Sequence, residues 1–481
     1  MFPALPLTSA VLLSLALSAS ASIIKQSTSP VTLALTRQFN LTGGSKILEI
    51  DQARARWLKD RAKAGSKRSQ QDTPNDRPLT NQATFYSTNV GIGTPPKNFT
   101  LLIDTGSSNT WVGSTLNKSF IPTTSKPTGE TAEIIYGSGQ FVGTEYMDTI
   151  HLGDKAIANQ GFGGALLTHG FSALTPVDGI LGIGPSQLSC GTLFPNTSQC
   201  VPTVTDNAFT QGLIDKYEVG ISFSPTTSLQ STDGVLTFGG TDPSKVEGPF
   251  TYVPITPTSP ASNYIGMDQM ISYGDADRII LAKTAGITDT GTTLLLMATD
   301  AFQKYQTLTG AVMDSDTGLL RLTVQQFGNL RSLLFTIGGT PFEFVPNAQA
   351  WPRALNSAIG GSDEFVYLIV GDLGSNSGEG LDFINGMSFL ERFYQVYDVG
   401  NNRVGFATTY NTTVRVAKLN SAIGGSDEFV YLIVGDLGSH SGEGLDFING
   451  MSFLERFYQV YDVGNNRVGF ATTYNTYAMT N

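Results

Sequence analysis

Leu101-Leu102-Ile103-Asp104-Thr105-Gly106-Ser107-Ser108-Asn109-Thr110-Trp111 carries a carboxylate at the end of an apolar run, followed by a Gly turn and two hydroxyls. The pattern returns 185 positions later as Gly286-Ile287-Thr288-Asp289-Thr290-Gly291-Thr292-Thr293-Leu294-Leu295. A single Asp-Thr-Gly is an ordinary surface turn, because Asp and Gly both suit turn geometry. Surface turns do not need apolar strands leading into them, so two in matched contexts point to two buried carboxylates that meet. Carboxylates a few ångströms apart cannot both ionise cheaply; one pKa falls, the other rises, and the pair holds one proton over a wide acid range. One member can then serve as base towards a water attacking a carbonyl, while the other serves as acid towards the carbonyl oxygen. Gly106 and Gly291 would let backbone turn tightly beside the pair, and the hydroxyls of Ser107 and Thr292 would bond its outer oxygens.

The chain around these turns has 481 residues, 40% of them hydrophobic, which is enough for two or more globular units. Its 53 glycines, frequent Thr and Ser, and short apolar runs broken by Gly or Pro predict an all-β architecture. Leu5 to Leu17 is apolar but too short to span a membrane, and Ala19-Ser20-Ala21 follows it with the small-x-small pattern of a signal-peptidase site. Secretion is therefore expected. In an exported chain the only two cysteines, Cys190 and Cys200, would oxidise to a local disulfide if geometry allows. Asn98, Asn117, Asn196 and Asn411 sit in Asn-x-Ser/Thr triplets, which fit a glycoprotein and also arise by chance.

The net charge of −11 is unevenly spread. Residues 22–80 hold 11 Lys/Arg against 5 Asp/Glu, whereas the remainder from residue 81 is net −17. A basic leader on an acidic body predicts an intramolecular pairing that acid weakens, since carboxylates lose charge while Lys and Arg keep it. Acidity that only serves solubility is the plainer alternative. The body is too acidic to bind nucleic acid, and no later stretch suits a membrane.

Taken in order, residues 1–21 are read as a signal peptide and 22–80 as a basic propeptide. Within the latter, Ile47 to Ala64 has strong helix formers and ends before Gly65, and Lys67-Arg68 offers a dibasic cleavage point. Strands are expected over 83–92 and 99–103, and a hairpin over 132–136 and 141–152 with the mobile tip Gly137-Ser138-Gly139-Gln140. Further strands are expected over 178–184, 221–223, 234–238, 251–255 and 279–288, with helices over 205–214 and 298–308 and a hairpin over 333–345. Residues 81–230 and 231–418 would form two lobes. Leu355 to Thr412 recurs almost unchanged as Leu419 to Thr476, with Asn376 against His440 the single difference in 58 positions. Two copies of one segment do not make a solenoid. They would compete for one place, and the unused copy would expose apolar strands.

Several motifs together resemble the pepsin-like aspartic endopeptidases, and most closely the polyporopepsin type of basidiomycetes. They are Ile103 to Trp111, Tyr136-Gly137-Ser138-Gly139, Asp178-Gly179-Ile180-Leu181-Gly182, Asp289-Thr290-Gly291-Thr292-Thr293, and Phe389-Leu390-Glu391-Arg392-Phe393-Tyr394 with Val404-Gly405-Phe406-Ala407. The resemblance implies a bilobal pepsin-like fold with the active site in the cleft between two similar β-lobes. It makes Asp104 and Asp289 the catalytic pair, and Tyr136, Gly137 and Ser138 substrate-binding residues of a flap. Gly106, Gly291 and Thr292 would also face substrate. Trp111 looks like the partner of Tyr136, or is plain core. The expected protein is a monomer with no cofactor or metal, and its partners are a protein or peptide substrate and its own propeptide. The sequence departs from the family at Ile384-Asn385-Gly386-Met387, where the family commonly has Ile-Leu-Gly-Asp, and in the duplication. A non-catalytic, pepsin-like binding protein is the alternative, and such proteins lose a dyad Asp, a nearby Gly or the flap Tyr; all are present here. A product misfolded by the duplication is a third reading.

Overall fold

The computed structural model describes residues 28–39, 46–64, 84–114, 119–136, 139–169 and 177–412, with 448–449, 453, 457–465 and 467–472 of the distal copy. The signal segment, Lys67-Arg68, Asn117, Gly137 and Ser138 lie outside them. Among the described residues no helix is long and apolar enough to cross a membrane.

Both Asp-Thr-Gly turns are built by the same device. Strand Lys97–Asp104 runs parallel to Gly179–Gly182, with Asp104 opposite Gly182, and Thr110–Val112 lies antiparallel on the other side of that short strand. In the second half, Ile279–Thr288 runs parallel to Phe383–Asn385, with Thr288 opposite Asn385, and Leu295–Met297 lies antiparallel beyond it. Strands enclosed in this way are buried on both faces, which is why the sequence approaching each Asp is continuously apolar rather than alternating. The unusual Asn385 is satisfied within this core, since its side chain exchanges hydrogen bonds of 2.9 and 3.1 Å with Gln269.

A 14-stranded sheet holds the first half and extends into the second, where a seven-stranded sheet completes the core. One strand in its middle was not expected from the sequence: Val31–Phe39, which pairs antiparallel with Gln230–Phe238 on one side and Thr84–Ile92 on the other. Val31, Leu33, Leu35 and Phe39 are buried at alternate positions, and buried Arg37 pairs with Glu391 at 3.2 Å. The strand Lys155–His169 was also unexpected, because Gly161, Gly163 and Gly164 interrupt its pattern; it pairs along Gly139–Leu152. The first-half helix is shorter than its apolar pattern, Val204–Thr210. A capping box between Thr203 and Asp206 starts it, and Gly212 at φ 68° turns the chain towards strand Glu218–Ser222. Cys190 and Cys200 form a disulfide.

The hairpin Phe393–Asp398 and Arg403–Thr408 closes the second half. It lies between Glu218–Ser222 and Thr251–Pro254, and its Phe393 and Phe406 pack with Phe342 and Phe389. The distal copy supplies a separate two-stranded sheet, Phe457–Asp462 with Arg467–Thr472.

Candidate active site

Strand ends bring Asp104 and Asp289 together in the core, each wholly buried. Thr105 N–H donates to Thr290 Oγ1 and Thr290 N–H donates to Thr105 Oγ1, both at 3.0 Å, while Thr290 Oγ1 donates to Ile103 O at 3.0 Å. This reciprocal lock fixes the two turns against each other across 185 residues of sequence. Asp104 accepts from Ser107 Oγ at 2.5 Å and Gly106 N at 3.0 Å. Asp289 accepts from Thr292 Oγ1 at 2.6 Å and Gly291 N at 3.2 Å.

One guanidinium joins the pair. Arg54 Nη2 donates to Asp104 Oδ1 at 2.5 Å and to Asp289 Oδ1 at 2.7 Å, and Arg54 Nε donates to Asp289 Oδ2 at 2.5 Å. A Cβ on Gly106 would meet Arg54 Nη2 and come within 2.8 Å of Asp289 Oδ1, and one on Gly291 would overlap the guanidinium. Burial opposes the Asp289 charge, but the Arg54 charge and hydrogen bonds, with those from Thr292 and Gly291, outweigh it and hold this carboxyl below its ordinary range. Burial likewise opposes the Arg54 charge, and the two carboxylates reverse that.

Arg54 sits on the helix Ile47–Ala64, the span the sequence predicts. The residue itself was not singled out, although a signal was present. Ile47, Ile50, Arg54 and Leu58 follow the three-to-four spacing of a buried helix face, and a charge on that stripe requires a partner. The helix touches both halves of the molecule. Arg61 donates to Leu188 O, Tyr264 Oη donates to Leu58 O at 2.8 Å, Gln52 donates to Asp372 O at 2.8 Å, and Lys59 reaches Ser375 and Glu379. Trp57 lies against Tyr136, ring centroids 5.9 Å apart. Tyr136 Oη accepts from Trp111 Nε1 at 2.8 Å, while Trp111 also packs on Phe141, so both readings of that Trp hold. Burial, then the Asp104 charge, raises the Tyr136 pKa, so its hydroxyl stays neutral.

Asp51, one turn before Arg54, is a second buried charge site. It accepts from Leu294 N at 2.7 Å and from Thr293 N at 3.1 and 3.2 Å. Burial pushes its carboxyl from 3.8 up to about 7, with Asp289 adding to the rise; the two N–H groups and Arg54 oppose it. An acid with a raised pKa stabilises the docked state fully only below its free value of 3.8, and that contribution is lost as the pH rises towards about 7. Asp51→Asn, which keeps an acceptor and removes the charge, is therefore expected to raise the melting temperature of the intact chain by several degrees near about pH 8 and hardly at all near about pH 4. Thermal unfolding at both pH values checks this; an equal shift at the two would contradict it.

Asp314, in the turn Asp314-Ser315-Asp316-Thr317-Gly318, spends its oxygens locally, accepting from Thr317 N at 2.8 Å and Arg321 Nη1 at 2.9 Å.

Comparison with known proteins gives the site its context. Residues 85–409 match the family model described as eukaryotic aspartyl protease. Polyporopepsin of Irpex lacteus is 59% identical over 337 residues, 70% of this chain and 97% of that protein. Pepsin A of Bos taurus is 32% identical over 351 residues, 69% of this chain and 87% of that protein. The crystal structure of the aspartic proteinase from Irpex lacteus matches with a TM-score of 0.67 and 50% identity, covering 80% of this chain and 99% of that one. The chain belongs to the eukaryotic aspartyl protease family and is a pepsin-like aspartic endopeptidase.

Proposed function

We propose that the chain is a secreted acid endopeptidase made as a zymogen, with Asp104 and Asp289 as its catalytic pair and residues 22–80 as its inhibitory propeptide. The observation that carries this reading is the Arg54 guanidinium seated on both carboxylates, where a reacting peptide bond and its water would have to sit. With Arg54 withdrawn, the pair shares one proton. The ionised member takes a proton from water as the water oxygen bonds to the peptide carbonyl carbon, and the protonated member donates to the carbonyl oxygen. The tetrahedral intermediate then collapses as the amine leaves with a proton from the pair. Tyr136, with the flap residues Gly137 and Ser138, would cover the substrate, and Trp57 stands on Tyr136 in the latent form.

Acid supplies the trigger. Asp289 in the clamp has a lowered pKa, so the clamp's contribution is fully present above the ordinary value of 3.8 and is lost as the pH falls through the lowered one. Asp51 has the opposite sign, so it delays release on acidification and confines the trigger to the clamp.

The test is an assay of the secreted protein on a denatured protein at roughly pH 3–5, with and without pepstatin, while its intact mass is followed. Pepstatin-sensitive hydrolysis accompanied by loss of residues 22–80 is expected. Hydrolysis by the uncut chain would remove the zymogen reading, and absence of hydrolysis from the cut one would remove the enzyme reading.

A further inference from the structure

The distal hairpin reproduces the closing hairpin in structure as well as in sequence. Phe457 pairs with Thr472 through to Asp462 with Arg467, the register of Phe393 with Thr408 through to Asp398 with Arg403. Its aromatic cluster has the same build. Phe453 stands 4.6 Å from Phe457 and 5.4 Å from Phe470, while Phe389 stands 4.8 Å from Phe393 and 5.8 Å from Phe406. The difference is covering. Tyr394, Val404 and Phe406 are fully buried, whereas Tyr458, Val468 and Phe470 are 64%, 47% and 47% exposed. A preformed hairpin with its apolar side chains in water requires a partner surface.

The complementary surface is already in the molecule. Glu218–Ser222 accepts the outer edge of Phe393–Asp398, Thr251–Pro254 accepts that of Arg403–Thr408, and Phe342 packs beneath both. Every residue these surfaces meet on the hairpin has an identical counterpart 64 positions later. We propose that Phe457–Thr472 is a second closing hairpin that can take the place of Phe393–Thr408 in its own chain. Direct contacts are the same in either arrangement, so only the connection distinguishes them. Running from Leu390 to Phe457 instead of Phe393 lengthens the connection from 2 residues to 66, about five doublings, so loop entropy favours the intact proximal hairpin by roughly 10²-fold, less than two charges buried in that hairpin would cost. Covalent linkage within one chain also holds the hairpin at an effective concentration of up to about millimolar, far above a second molecule in dilute solution. The same chain is therefore the favoured host.

Full-length variants test this. Val404→Asp with Phe406→Asp spoils the proximal hairpin, Val468→Asp with Phe470→Asp spoils the distal one, and a third variant carries all four changes. Each double variant is expected to keep activity, after acid treatment, within about 5-fold of the parent. The quadruple variant, with charges forced into the only remaining closing hairpins, is expected to lose at least ~100-fold. Amide exchange provides a readout independent of activity: in the proximal double variant, Arg467–Thr472 should become protected. Three outcomes would overturn the proposal. They are a proximal double variant as inactive as the quadruple, a quadruple variant as active as the parent, and rescued activity that elutes only as a dimer.

Discussion

Asp289→Asn alone is expected to cut peptide hydrolysis at acid pH by at least ~10³-fold, and Asp104→Asn to do the same. The carboxamide can neither ionise nor carry the shared proton, so the water loses its base or the carbonyl its acid. The loss should fall on kcat, since backbone contacts to substrate survive the exchange of one oxygen for nitrogen. Folding should be little affected in the released enzyme, because Asn still accepts from Thr292 Oγ1 or Gly291 N. Single-turnover kinetics on matched amounts of processed protein is the measurement. A residual rate within tenfold of the parent in either variant would refute the shared-proton pair.

Arg54→Ala is expected to change when the enzyme works rather than how well. Removing one partner from a buried charge cluster costs on the order of 3–5 kcal/mol, because the others are left uncompensated. At about 1.4 kcal/mol per tenfold, release of the helix should be favoured by roughly 10²-fold or more. Without the guanidinium the two carboxylates repel, one takes up a proton, and the lowered pKa of Asp289 disappears. Conversion should then begin at higher pH and depend less steeply on it. Arg54→Lys should lie between, since an ammonium offers a point charge without the fork that spans both carboxylates. Intact mass against time over a pH series decides the matter. Unchanged latency in Arg54→Ala would show that the remaining helix contacts alone hold the cleft shut.

Much of this architecture could be read from local chemistry. The Ile47–Ala64 helix was legible because its composition and its end at Gly65 agree. The approach of Asp104 to Asp289 was legible because two apolar runs deliver matched turns. What escaped was information that lies in pairs of distant residues. Val31–Phe39 alternates as a half-buried strand should, yet its partners begin at Thr84 and Gln230, and nothing within the nine residues names them. Arg54 is one basic residue among eleven in residues 22–80, and only its place on a buried helix face sets it apart. Asp51 was harder still, because its acceptors' partners are backbone N–H groups of Thr293 and Leu294, which leave no mark in side-chain identity. Lys155–His169 was missed for a different reason: its glycines accommodate close neighbours, and that use imitates a loop.

The strand Val31–Phe39 has a consequence in time. It is hydrogen-bonded along both edges in the middle of the sheet, and the proposed processing at Lys67-Arg68 would sever it from the body. The mature enzyme would then lack a piece that its sheet was assembled around. Its persistence would depend on the height of an unfolding barrier, with no equilibrium route back to the latent arrangement. Each molecule would fold once, under guidance it later discards, and a molecule unfolded after maturation would have lost the instruction for return.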